Sequence, residues 1–127
     1  MKAIWKLKVP PKINFLLWRI FRNRLPSCYN LLSRNIRVDE GNYNCKFCLY
    51  TLETMEYLLV GCPVITEVWN ACYGWINLSV MLPRSISDHF CQHNLVGGNW
   101  IKQIRWKFMW CAVVWMIWKI RNDIIFQ

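Results

Sequence analysis

The sequence predicts an all-α fold, in which a small helical domain with a cysteine knuckle precedes one long apolar helix. Apolar residues recur at helical spacing in several segments, and proline, glycine and serine stand where helices begin or end. No segment requires a strand. Hydrophobic residues make up 55% of the 127 residues and charged residues 18%, so the chain can bury a core and is not a disordered tail.

Two short helices are expected in the N-terminal third of the chain. Pro10 and Pro11 suit the first turn of a helix, where a backbone N–H is not needed. The segment that follows keeps its apolar side chains on one helical face and ends near Arg24, shortly before a proline. Ser27 can cap a second helix that extends to about Arg34.

Further helices are expected in the middle of the chain. Residues 51–60 show helical spacing, and Pro63 suits the first turn of another helix, at whose C-terminal end Gly74 is expected. Beyond it, Ser87 or Asp88 can cap a short helix.

The last element is the longest helix, predicted from residue 100 to about residue 126. Its central residues 108–118 are all apolar, but a helix of that length spans about 16 Å, too short to cross a hydrocarbon core of about 30 Å. We therefore expect a domain over residues 1–74, a linker with a short helix over 75–99, and the C-terminal helix over 100–127. The tryptophans of this helix are expected to point to several faces: Trp106, Trp110, Trp115 and Trp118.

The positive charge is concentrated in the first 38 residues, which hold nine basic residues and no acid. The rest of the chain holds seven basic and seven acidic residues, so the net charge of +9 belongs to the N-terminal part. A patch of one sign favours phosphate backbones, although a solvated helix face is the alternative. The residues expected to contact nucleic acid are Lys6, Lys8, Lys12, Arg19, Arg22 and Arg24.

The cysteines predict a metal site. Seven is an odd number and the N-terminus shows no secretory signal, so reduced thiols in the nucleus or cytoplasm are expected. Only Cys45 and Cys48 have the two-residue spacing that metal sites favour, and Cys62 is the obvious third ligand of a zinc ion that needs four. The remaining cysteines are expected to pack in the core: Cys28, Cys72, Cys91 and Cys111.

Several ordered motifs carry a family resemblance. They are W-K-L-K-V-P-P-K at 5–12, F-L-L-W-R at 15–19, R-L-P-S at 24–27, C-x-x-C at 45–48, E-T-M-E at 53–56, C-P at 62–63 and I-W-K-I-R-N-D at 117–123. With these motifs the chain resembles the reverse-transcriptase zinc-binding domain of plant LINE-type (non-LTR) retrotransposons. The resemblance spans most of the chain and is weakest over residues 75–99.

The resemblance implies a zinc ligand set of two cysteines, a histidine and a cysteine. The three cysteines of the predicted site match, whereas Tyr57 occupies the histidine position. A phenol with a pKa of about 10 is a poor zinc ligand, so zinc binding is expected to be weakened or lost, as in a degenerate copy. His89 and His93 are the alternative donors.

The resemblance also implies a function. It predicts a non-catalytic accessory module of a reverse transcriptase that contacts RNA or DNA through its basic N-terminal helices, or a remnant of such a module without activity. The sequence has no glycine-rich phosphate loop and no carboxylate cluster, which argues against an enzyme. The alternative is a structural or protein-interaction fragment that docks on a partner, or on a second copy, through the Trp-rich C-terminal helix; membrane-surface association is a third possibility.

Overall fold

The computed structural model describes residues 9–36, 43–75, 85–91 and 100–125, and these residues contain helices and no strand. The all-α prediction is confirmed, and so is the long helix at the C-terminal end. The elements are α1 (Pro11–Phe21), α2 (Cys28–Ser33), a π-helical turn (Tyr57–Gly61), α3 (Pro63–Trp75), α4 (Ile86–Phe90) and α5 (Trp100–Ile125).

The first two helices form as local sequence signals predict, with one difference in length. α1 ends at Phe21 rather than near Arg24, because Asn23 adopts a left-handed backbone with φ 53° and stops the helix. The side chain of Ser27 accepts a hydrogen bond from the backbone N–H of Asn30, which confirms its role as the N-cap of α2.

The segment expected to be helical over residues 51–60 becomes helical only at Met55. Before that, the chain folds back on itself as a knuckle, and Asn44 and Leu52 form an isolated antiparallel bridge. In this part of the chain the backbone N–H and C=O groups pair across the knuckle rather than along a helix. The spacing of apolar residues over 51–60 therefore predicts a longer helix than the one that forms.

One predicted helix boundary is confirmed and one is wrong. Gly74 lies at the C-terminal end of α3, one residue before Trp75, although its backbone is not left-handed. α4 is capped by Ser85, whose hydroxyl accepts a hydrogen bond from the backbone N–H of Asp88, and not by Ser87 or Asp88. The cap therefore lies two or three residues before the expected position.

The hydrophobic core lies along one face of α5. Its buried side chains recur at steps of one, three and four residues, as one helical face requires: Trp106, Trp110, Cys111, Val114, Ile117, Trp118 and Arg121. The prediction that the tryptophans point to several faces is therefore wrong for three of them, and only Trp115 lies half-buried at the edge of this face. No helix in the described segments is both long and apolar enough to cross a membrane.

The centre of the core is a cluster of aromatic rings whose polar atoms are all satisfied. Trp69, Trp106 and Trp110 are fully buried, and His89 lies edge-on to Trp69 with the ring centroids 4.3 Å apart. Trp110 Nε1 donates to His89 Nδ1 at 2.9 Å, while the other two indoles donate to backbone carbonyl oxygens. Tyr73 completes the network through its hydroxyl, 2.9 Å from His89 Nε2. The indoles therefore contribute apolar burial without leaving unpaired donors.

A buried ion pair ties the end of α5 to the N-terminal half of the chain. Glu53 and Arg121 are 0% and 4% exposed, and two nitrogens of Arg121 donate to the two carboxylate oxygens of Glu53 at 2.5 and 3.3 Å. The carboxylate also accepts from the backbone N–H of Cys28, and the guanidinium donates to the carbonyl of Pro26. Both charges are thus fully hydrogen-bonded, which is the condition under which burial of a pair is tolerated.

We predict that Arg121→Met destabilises the protein by about 3–5 kcal/mol, because the carboxylate of Glu53 is left buried without its partner. Urea unfolding followed by circular dichroism measures the change. Arg105→Met is the matched control, since Arg105 is exposed on the same helix and its loss should cost under about 0.5 kcal/mol. Equal stability losses in the two variants would contradict a structural role for the pair.

Candidate metal centre

The knuckle positions the first two cysteines of the predicted site. The backbone N–H of Cys45 donates to the carbonyl of Thr51 at 2.8 Å, and that of Leu49 donates to the carbonyl of Cys45 at 3.0 Å. Leu49 adopts a left-handed backbone with φ 68°, which lets the chain reverse directly after Cys48. Cys45 is buried and Cys48 is half-buried, so both thiols lie on the inner side of one tight turn.

The third cysteine comes from the junction between the π-helical turn and α3. Cys62 is buried, and its backbone N–H donates to the carbonyl of Tyr57, five residues earlier, at 2.7 Å. This brings its sulfur to the knuckle, and the sulfurs of Cys45, Cys48 and Cys62 all lie within 4.8 Å of one another. Thiolates bound to one zinc ion at about 2.3 Å stand about 3.8 Å apart in a tetrahedron, so the three cysteines could hold a metal ion.

Tyr57 lies against this cluster. Its hydroxyl oxygen is 3.1 Å from the sulfur of Cys48, within hydrogen-bond distance. Its ring packs over Gly61, where an added Cβ would meet the ring carbon Cδ2 at 3.3 Å. A larger residue at Gly61 would therefore press on the ring, and the absence of a side chain there helps the phenol to reach the thiol.

The surroundings of Cys45 and Cys48 shift the pKa values of these two thiols in opposite directions. Burial opposes ionisation of Cys48, yet hydrogen bonds from Tyr57 and from the backbone of Tyr50 and Thr51 lower its pKa to about 7. Burial raises the pKa of Cys45 to about 12. The hydrogen bond to Cys48 in turn raises the pKa of the Tyr57 phenol. Of these two thiols, Cys48 is thus the one that ionises more readily.

His89 does not complete the site. Both of its ring nitrogens are engaged in the aromatic core, with Tyr73 and Trp110, and burial lowers its pKa to about 4. Within the described part of the chain, the group that could hold a metal consists of the three cysteines alone. His93, the other alternative donor, lies outside the described residues.

The remaining cysteines lie away from this cluster. Cys28, Cys72 and Cys111 are buried, as expected of cysteines that pack as small apolar residues. Cys91 is exposed at the end of α4, so the expectation that it packs in the core is wrong. Cys91 follows the last residue of α4 as its C-cap.

The residues predicted to contact nucleic acid lie on α1 and just after it. Lys12, Arg22 and Arg24 are exposed and Arg19 is half-buried, and three of them lie over aromatic rings. Lys6 and Lys8 fall outside the described residues.

The sequence did not lead us to predict the buried ion pair between Glu53 and Arg121, which lies next to the site. Glu53 follows the knuckle directly, and its backbone N–H donates to the carbonyl of Tyr43 at the start of the knuckle. One signal could have found Arg121: it stands three residues after Trp118, at core spacing in a Trp-rich helix, where a charge requires a partner.

A comparison with protein families matches residues 1–69 to zinc-binding in reverse transcriptase. This is more than half of the chain and includes the knuckle, the third cysteine and α1. The chain belongs to this family. The family predicted from the sequence motifs is thereby confirmed. Zinc binding, which its name describes, agrees with the donor set of three cysteines.

A relative of this family member occurs in a plant. The chain is 21% identical over 124 residues to a protein of Arabidopsis thaliana named "Putative ribonuclease H protein". The match covers 98% of the chain but 19% of the relative, so the chain spans about a fifth of the length of that protein. No solved structure matches the chain significantly.

We predict that Tyr57→His raises the affinity for zinc by about tenfold or more, because an imidazole in place of the phenol would supply the fourth ligand. Competition with a chromophoric chelator under reducing conditions measures the affinity.

Tyr57→Phe is the matched control, since it removes the hydroxyl from Cys48 without adding a ligand. It should leave the affinity within about threefold if the phenol does not bind the metal. Equal affinities of the native protein and Tyr57→His would contradict the prediction that this position limits metal binding.

Proposed function

We propose that the chain is a non-catalytic zinc-binding accessory module from a LINE-type retrotransposon reverse transcriptase, and that it contacts RNA or DNA through its basic N-terminal helices. The observation that carries the proposal is the convergence of three cysteine sulfurs within 4.8 Å in a member of the zinc-binding family. The fourth ligand of the zinc ion would be Tyr57 or a water molecule. A copy that binds neither zinc nor nucleic acid would be a remnant without activity.

The proposed role of zinc is structural. Cys45 and Cys48 belong to the knuckle, and Cys62 directly precedes α3, so one ion would join the knuckle to the start of that helix. Structural zinc sites contribute their binding energy to folding, and closed sites of this kind have thiolate and imidazole ligands. Zinc here would therefore stabilise the surface formed by the helices rather than take part in a reaction.

The proposal that the module is not an enzyme rests on the donor set. The metal-ligating group in the described residues consists of thiols, whereas phosphodiester hydrolysis and polymerisation use carboxylate-bound metal pairs. Glu53, a buried carboxylate close to the knuckle, is held in the pair with Arg121 and faces away from solvent. We place any hydrolytic activity of the plant relative in the four-fifths of that protein that the chain does not span.

Nucleic-acid contact is supported by the charge of α1. Four basic residues lie on this helix or directly after it: Lys12, Arg19, Arg22 and Arg24. The first 38 residues contain no acid to neutralise them. Basic groups held over aromatic rings keep their charge directed outward while their stems are packed. Such a surface binds phosphates with a strong dependence on salt.

We predict that the protein binds a labelled oligonucleotide with an affinity that falls steeply between about 50 and 200 mM salt, because phosphate contacts release counterions. Replacing Arg19, Arg22 and Arg24 together by glutamate should abolish binding measured by fluorescence anisotropy.

The control for this experiment has the same net charge. It replaces Lys102, Arg105 and Lys107 by glutamate, and these residues belong to α5 rather than to the N-terminal helices. It should retain binding within about tenfold, since only long-range attraction is reduced. Equal losses in the two triple variants would show that net charge alone determines binding, and would contradict a contact surface on α1.

A second candidate function has one observation in its favour. A groove of about 380 Å³ between α3 and α5 is lined almost wholly by apolar atoms, with Val64 and Val68 on one side and Met116 and Ile120 on the other. Because no polar group specifies its occupant, the occupant must be an apolar face, and the exposed apolar side chains of α5 in a second copy provide one. The module would then be a self-associating fragment.

For this alternative we predict concentration-dependent association in sedimentation experiments that salt does not weaken. Met116→Glu would place a charge in the groove and abolish the association. Tyr29→Glu is the control, because Tyr29 is exposed on α2 and belongs neither to the groove nor to the apolar side chains of α5. A native protein that stays monomeric at high concentration would exclude this alternative.

A further inference from the structure

A second groove, between α1 and α5, combines basic and aromatic side chains from both helices. It has a volume of about 410 Å³. Lys12, Phe15 and Arg19 line it from α1, while Trp115 and Lys119 line it from α5. The sequence places these two groups about one hundred residues apart, so only the fold brings them together.

One aromatic side chain of this groove is exposed, and cations lie over two of the rings. Phe15 is 61% exposed although it belongs to a helix that packs on the core. The guanidinium of Arg19 lies 5.7 Å from the centre of the Phe15 ring, and the ammonium of Lys12 lies 5.0 Å from that of Trp115. Phe15 also stacks on Trp18, with the ring planes at 16°. The exposed part of the Phe15 ring thus lies next to a positive charge, whereas the Trp115 ring is half-buried.

The charge of the groove selects an anion. Lys12, Arg19 and Lys119 contribute three positive charges, and Asp123 contributes one negative charge. A mixed groove with a net positive charge and an exposed aromatic ring matches an unpaired nucleotide, whose phosphate is anionic and whose base has a flat π face. A paired base in a duplex offers no such face, because its neighbours already cover it.

We propose that this groove binds a single-stranded segment of RNA or DNA, with a base stacked on Phe15 and the flanking phosphates held by Lys12, Arg19 and Lys119. The inference rests on the proposed nucleic-acid contact and deepens it. It extends the surface from the basic N-terminal helices to α5, and it names unpaired nucleotides as the ligand. Lys119 thereby becomes a binding residue, although the positive charge of the sequence is concentrated in its first 38 residues.

The experiment measures the binding of fluorescein-labelled ten-nucleotide oligo(U) and oligo(dT), and of a duplex of mixed sequence, by anisotropy at fixed salt. Phe15→Leu keeps an apolar side chain but removes the ring, and should weaken single-strand binding by about tenfold, the scale of one lost base–aromatic stack. Its effect on duplex binding should be under about twofold.

Two substitutions of charged residues on α5 are expected to change the binding affinity in opposite directions. Lys119→Gln should weaken binding and lower the slope of affinity against salt by about one, whereas Asp123→Asn should strengthen binding. Lys107→Gln is the matched control, because it is the same substitution on the same helix outside the groove. Thermal unfolding of each variant confirms that it is folded.

The outcomes separate this inference from the proposed function. If the native protein binds single strands and Phe15→Leu and Lys119→Gln behave like Lys107→Gln, the groove is not the binding site, while nucleic-acid contact stands. Tighter binding of the duplex than of the single strands would likewise overturn the inference alone. If the native protein binds none of the three probes, the proposed nucleic-acid contact fails, and this inference fails with it.

Discussion

The buried ion pair between Glu53 and Arg121 is the interaction on which the arrangement of the helices depends. Removing two charges from water is costly, and the pair is tolerated because each partner is also bonded to backbone, at Cys28 and Pro26. These bonds fix the C-terminal part of α5 against the start of α2 and against the segment that follows the knuckle. The cysteine cluster and both grooves lie on the elements that the pair holds together.

The C-terminal half of α5 has three distinct sides as a result. One side is buried in the core and carries Arg121. A second faces α1 and combines Trp115 with Lys119, and a third faces α3 and presents apolar side chains such as Met116. The mixed, positively charged groove and the apolar groove are therefore separated around a single helix. This separation explains why the residues of α5 show little preference for one amphipathic face, although the helix packs on a well-defined core.

Local signals predicted the parts of the fold that depend on neighbouring residues. The cap at Ser27, the restart at Pro63 and the knuckle spacing of the cysteines were all readable, because each involves residues within one or two turns. The cap of α4 was misplaced, since Ser85, Ser87 and Asp88 all have side chains that can cap a helix and stand close together. The partner of Arg121 lies 68 residues away, and no local pattern encodes that distance. The position of Tyr57 beside the cysteines came from the family pattern and not from its own spacing.

The π-helical turn before Cys62 bears on how the chain tolerates a change of length at this point. Its hydrogen bonds span five residues instead of the four of an α-helix, as in the bond from the backbone N–H of Cys62 to the carbonyl of Tyr57. Loss of a single codon within residues 58–61 would leave one ordinary α-helical turn in place of the π turn, so the following sulfur would shift little around the helix axis. Copies of this module that carry such a deletion would therefore still present all three sulfurs to one ion.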